Sequence, residues 1–154
     1  MEPITLQTYF KAHQVPLQWM PFLRAIAAEL SAQTDAINLR HLFFSVGQRF
    51  AMGTPSLLQE IATLSQLEET LCTHWGQHQW GWVELSEVGD AIEIVHNACP
   101  LAEAFGEDSL TWSVGFLEGF YQSIFGALGA SETMNVRAMN DSRDGMAIRL
   151  NFSR

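Results

Sequence analysis

Positive charge is scarce in this chain. Lysine occurs once, at Lys11, and the eight basic residues face seventeen acidic ones, for a formal net charge of -9. That balance offers no electrostatic footprint for a phosphate backbone or an anionic lipid surface, so nucleic acid is excluded as a partner class. Cysteine is nearly absent as well. Cys72 and Cys99 are too few for a disulfide framework and fit a reducing compartment, where buried thiols behave as small hydrophobes. No stretch approaches the ~20 apolar residues needed to span a bilayer, which argues against membrane insertion. The opening MEPITLQTYFKAHQ lacks a basic segment followed by an apolar one, so a cytoplasmic location is expected. Neither GxxxxGK[ST] nor GxGxxG occurs, and there is no internal repeat or low-complexity tract.

Apolar residues are plentiful. They make up 47% of the 154 residues against 16% charged, more nonpolar surface than a small monomer hides, so self-association is expected. The length fits one domain, assigned to residues 21–154, with 1–20 as an N-terminal extension or linker.

The hydropathy pattern predicts an α+β fold. Pro21 suits a first helical position, and Phe22, Leu23, Ile26, Ala27 and Leu30 recur at helical spacing, giving a helix over 21–33. Thr34 or Asp35 caps a second helix, 36–52, with Ile37, Leu39, Leu42, Phe43, Val46 and Phe50 as its apolar face. Thr54-Pro55 opens a third, 55–75, ending at Gly76 as its C′ glycine. Beyond Gly76 the period falls to 2. Trp80 to Leu85 and Ala91 to His96 flank a turn and predict a β-hairpin over 80–96. An acid-rich loop leads to a helix over 109–128 capped by Ser109, and a second hairpin, 133–152, turns through Asp144-Gly145. Together the strands are expected to form one antiparallel sheet packed with the helices. Gly115 and Gly119 lie one turn apart, a flat strip suited to close approach of a neighbouring backbone, which would offset their helix penalty of ~1 kcal/mol each.

Cys72, His74 and His78 suggest zinc, but a helix ending at Gly76 would separate the two imidazoles, and no second cluster supplies the missing ligand. His96 and Cys99 suggest a nucleophilic dyad, yet no acidic orienter or helix N-terminus accompanies them. The carboxylates Glu84, Glu93, Glu103, Glu107, Asp108 and Glu118 are numerous without forming an evident pair. No catalytic residue, metal or cofactor is therefore assigned. Trp80 and Trp82 alternate onto one strand face, where flat rings suit a sugar or a partner subunit. Glu118 and Phe120, within FLEGF, complete the candidate oligomer interface.

These segments, taken in order, resemble the cellulose synthase operon protein D family, small accessory proteins of bacterial cellulose-secretion complexes. The resemblance rests on Phe22-Leu23-x-x-Ile26, Leu39-Arg40-x-x-Phe43, Val46-Gly47-x-Arg49, Trp80-Gly81-Trp82-Val83-Glu84-Leu85, Ile94-Val95-His96 with Pro100, and Trp112 with Phe116 to Tyr121. It covers about residues 21–154 and departs in the first twenty. It implies a non-catalytic subunit whose dimers assemble into a cylindrical octamer with inner passages. Export or ordering of β-1,4-glucan, contact with other synthase subunits and a proline-rich partner are implied with it. The family's N-terminal segment lines the passages, which by position implies glucan contact by Tyr9, Phe10, His13 and Trp19, with His13 or Gln14 hydrogen-bonding hydroxyls. Two other classes compete. A small-ligand sensor of vinyl-reductase-type or haem-nitric-oxide-binding architecture requires a dry pocket faced by His96 or His74. A glycosidase requires carboxylates about 5 to 10 Å apart across a cleft.

Overall fold

The computed structural model describes residues 5–139 and 147–154, apart from the side chains of Gln7, Pro55 and Ser56. In chain order the elements are α1 (Leu6–His13), α2 (Met20–Gln33), α3 (Ala36–Met52), a 3-10 turn (Pro55–Leu58) and α4 (Leu64–Gln77). Then follow β1 (Trp82–Val88), β2 (Ala91–Asn97), α5 (Leu101–Phe105), a second 3-10 turn (Glu107–Ser109), α6 (Leu110–Ser113), α7 (Gly115–Ala127), β3 (Asn135–Ala138) and β4 (Ile148–Ser153). The strands form one antiparallel sheet in the order β1-β2-β4-β3, the α+β class that the sequence pattern predicts. The turn expected around 140–145 lies outside the described residues.

One face of the sheet is dry. Val83, Leu85, Ile94, His96, Val136, Ile148, Leu150 and Phe152 are buried, and the alternate residues carry the polar face, where Glu93 pairs with Arg149 at 2.9 Å. Helix α7 lies between this sheet and α3, which is why Gly115 through Tyr121 are all buried. The glycine strip does what its spacing predicts. A Cβ on Gly119 would sit 2.0 Å from the Phe44 carbonyl oxygen, and one on Gly115 2.4 Å from that of Arg40. Gly47 meets α7 reciprocally, 2.0 Å from the Phe116 carbonyl oxygen, so α3 and α7 touch backbone to backbone. Gly126 has nothing within 4 Å and takes no part.

Several predicted boundaries move, each for a local reason. The helix expected over 55–75 is broken: Glu60 takes a positive φ of 64°, and α4 restarts at a capping box. There Thr63 accepts from the Gln66 amide while the Gln66 side chain accepts from the Thr63 amide. Nor does Gly76 end that helix. The Trp80 amide reaches back to the Trp75 carbonyl and Gln79 to Gly76, a Schellman motif that places Gln79, φ 57°, in the left-handed position. The strand accordingly starts at Trp82 rather than Trp80. The acid-rich loop contains α5, and the helix expected over 109–128 is divided at Val114 into α6 and α7. Ser109 makes no N-cap bond; its hydroxyl donates to the Gly106 carbonyl instead.

Candidate functional site

The N-terminal aromatics are exposed and fall into two groups. Thr5 caps α1 by accepting from the Thr8 amide at 3.1 Å. Four residues apart on that helix, Tyr9 and His13 stack with centroids 4.2 Å apart and 21° between planes. The His13 Nδ1–H donates to the Tyr9 carbonyl at 2.8 Å, leaving Nε2 as an outward acceptor. Phe10 meets Tyr9 edge-on at 6.3 Å. Trp19, just before α2, packs edge-on with Phe22 at 6.0 Å. Tyr9, Phe10, Trp19 and Phe22 are each about half exposed, so flat faces remain open to a ligand with apolar faces and hydroxyl edges. The structure brings Tyr9, Phe10 and His13 together and gives Trp19 a partner, Phe22, that the periodicity places in the core stripe. Gln14 is otherwise engaged. Its amide donates to the Ala98 carbonyl, and with buried Val15 it anchors the segment to the body of the domain.

The four residues expected at an oligomer interface fare differently. Trp80 packs inward, stacked on Trp75 at 5.5 Å and against Phe116 at 5.1 Å, so it does not share a face with exposed Trp82. Phe120 is fully buried. Glu118, 1% exposed, accepts from Arg40 Nε at 2.7 Å, from Arg40 Nη2 at 2.8 Å and from the Ala138 amide at 2.9 Å. It ties α3, α7 and β3 together, and its hydrogen bond holds the Arg40 pKa above its ordinary value. Neither Glu118 nor Phe120 offers surface to a neighbour.

Surface that the periodicity assigns inward turns out to be open. On α3, Leu39 and Phe43 are buried while Ile37, Leu42 and Val46 are exposed. The warning is in the sequence: apolar residues spread too far around α3 for one neighbour to cover. Most of the exposed large apolar side chains among the described residues lie on residues 6–52.

His96 and Cys99 are held in the core, whereas the buried Nε2 of His74 has no hydrogen-bond partner among the described residues. His96 is buried with both ring nitrogens engaged, Nε2 with the Trp80 carbonyl and Nδ1 with the Tyr121 hydroxyl, each at 2.7 Å. A carbonyl only accepts, so Nε2 carries the proton and the Tyr121 O–H donates to Nδ1. The same hydroxyl accepts from Trp75 Nε1 at 3.1 Å. Burial pushes the His96 pKa down to about 4, keeping the ring neutral. Cys99 is pushed up to about 12 by burial, a thiol rather than a nucleophilic thiolate. His74 and His78 do lie on one side of α4, centroids 4.5 Å apart, because the helix passes Gly76. His78 Nδ1 donates to the His74 carbonyl at 2.8 Å, and burial, with His78 beside it, lowers the His74 pKa. Among the described residues no three His, Cys, Asp or Glu side chains converge closely enough for a metal.

Two of the open grooves border these candidates. One, of about 480 Å³, is lined by His74, His78, Thr70, Thr73, Glu69 and Gln77. In the other, beside α2, the acids Glu107 and Asp108 come from consecutive residues of one turn, not from opposing walls. No helix among the described residues is long and apolar enough to cross a membrane.

The whole arrangement has relatives. Residues 5–151 match the family described as the D subunit of cellulose synthase, a span that starts within the first twenty residues, where the motif resemblance departs. Over 102 residues the chain is 32% identical to the cellulose synthase operon protein D of Komagataeibacter xylinus, covering 65% of this chain and 64% of that protein. Less than two thirds of that relative's length is thus matched. With its α1 segment, its α3–α7 contact and all but the last two residues of its sheet inside the matched span, the chain belongs to the cellulose synthase D-subunit family.

Proposed function

We propose that this chain is a non-catalytic accessory subunit of a bacterial cellulose synthase complex, and that copies of it assemble into an octameric frame that guides or orders β-1,4-glucan. Family membership supports the accessory role. The observation that carries the glucan contact is the pair of exposed aromatic groups in the N-terminal segment, the Tyr9–His13 stack with Phe10 and, separately, Trp19 with Phe22. Rings of this kind cover the apolar faces of glucose units, and His13 Nε2 accepts from a hydroxyl. The exposed apolar residues of α2 and α3 are surface for other copies or for further synthase subunits, including a proline-rich partner, on the cytoplasmic side of the synthase.

The test replaces Tyr9, Phe10 and Trp19 together by alanine. Light scattering should give an unchanged mass, while cello-oligosaccharide binding and cellulose output both fall. Unchanged binding and output would remove the glucan role, and a wild-type protein with the mass of one subunit would remove the frame. The sensor reading finds no support in His96, whose two nitrogens are both committed within the protein.

A further inference from the structure

Both outer strands of the sheet, β1 and β3, have backbone groups pointing away from their single partner, the usual place for another chain to add a strand. Here side chains take several of those groups. On β1, the Leu85 amide donates to Glu68 Oε2 at 2.7 Å, and the Val83 carbonyl accepts from Cys72 Sγ at 3.1 Å. On β3, the Val136 amide donates to Gln122 Oε1 at 2.8 Å and the Ala138 amide to Glu118 Oε2 at 2.9 Å, while the carbonyl of Met134, just before the strand, accepts from Gln122 Nε2 at 2.9 Å.

The two sets share one design. Glu68 and Cys72 stand four apart on α4, and Glu118 and Gln122 four apart on α7. A separation of four stacks side chains about one turn apart on a helix, roughly 5 to 6 Å, close to the spacing of successive outward groups along a strand, about 6.6 Å for two residues. Each helix therefore reads alternate positions of the strand beside it: Val83 and Leu85 for α4, Val136 and Ala138 for α7. Gln122 binds an amide and a carbonyl at once, as a peptide unit of an added strand would.

We propose that these two i,i+4 pairs are edge guards, an autoinhibitory contact that blocks strand addition so that copies of the chain meet only through their helical surfaces. A chain that hides apolar surface in self-assembly must suppress the competing route of edge-to-edge pairing, which lengthens without closing. Glu68 and Cys72 serve this purpose on β1, where exposed Trp82 and Val88 would favour an incoming strand.

The experiment uses the full chain and leaves the N-terminal aromatics intact, so its failure is separable from failure of the glucan role. Glu68→Ala/Cys72→Ala should speed hydrogen exchange of the Leu85 amide at least tenfold, leave the Ile94 amide protected, and produce species heavier than the wild-type assembly with an intermolecular β signature in the infrared. Glu68→Gln/Cys72→Ser, which keeps an acceptor and a donor, should restore the wild-type mass. Thr63→Ala, which weakens the same helix at its cap without touching the edge, should not yield the heavy species. If the double alanine variant fails to fold, Glu68→Met, which keeps side-chain length and removes only the acceptor, carries the same expectation. Wild-type mass and Leu85 protection in the unguarded variant, or equal heavy species from Thr63→Ala, would overturn the proposal.

Discussion

The Arg40–Glu118 pair should be asymmetric when it is broken. Glu118 is 1% exposed whereas the Arg40 side chain is 34% exposed, so a guanidinium left alone reaches water and a carboxylate left alone does not. Arg40→Met keeps the alkyl stem and strands a buried charge, which costs about 4 kcal/mol on the scale of broken buried pairs. Glu118→Gln keeps an acceptor for the Ala138 amide and loses one charge-assisted bond, about 2 kcal/mol. In the double variant no charge is left stranded, so its cost should fall short of the sum of the singles by at least ~1.5 kcal/mol. Chemical denaturation at one fixed protein concentration measures all three, since assembly makes stability depend on concentration. Thermal melts should show Arg40→Met lowering Tm by roughly 10 °C. An Arg40→Met cost equal to or below that of Glu118→Gln, or strictly additive singles, would refute this account of the pair.

Two further predictions concern packing and pH. Gly119→Ala places a methyl 2.0 Å from the Phe44 carbonyl oxygen, so α3 and α7 must part, at a cost of about 3 kcal/mol or more; Gly126→Ala, in open space on the same helix, should stabilise by up to ~1 kcal/mol. Comparable effects at the two sites in urea unfolding would contradict the close contact. His96 has a folded pKa of about 4 against an ordinary 6.5, so between those values the unfolded chain binds more protons than the folded one. Stability should therefore rise with pH from about 4 to 6.5 and level off above, a gain of about 3 kcal/mol. The lowered His74 acts in the same direction. His96→Asn should be less stable at pH 7 and show a shallower slope; a slope equal to wild type would remove His96 as its source.

Much of the fold was legible because it is written in short-range chemistry. The period of α3, the Asp35 cap confirmed by its 2.8 Å bond to the Asn38 amide, the alternation of Val83 and Leu85, and the Gly115–Gly119 strip all follow from residues within a turn or two of one another. Boundaries failed where equivalent local signals competed. Thr54-Pro55 and Thr63 with Gln66 both promise a helix start, and only the completed hydrogen bonds of Thr63 decide between them. Gly76 and Gln79 both stand near a helix end, and the left-handed turn went to glutamine because Trp80 had to reach the Trp75 ring.

By itself the sequence determined the class of fold, the acidic and apolar balance, the family, and the aromatic N-terminal segment. Only the tertiary structure decided which apolar residues are core and which are surface, since Leu39 and Leu42 are alike in composition and differ in what packs on them. It also decided that Glu118 is an internal tie and that Glu68, Cys72, Glu118 and Gln122 close the sheet. The reason is distance along the chain: a side chain's partner 11 to 78 residues away, as Val83 is to Cys72 and Arg40 to Glu118, leaves no periodic trace, and burial is settled only when the partner arrives.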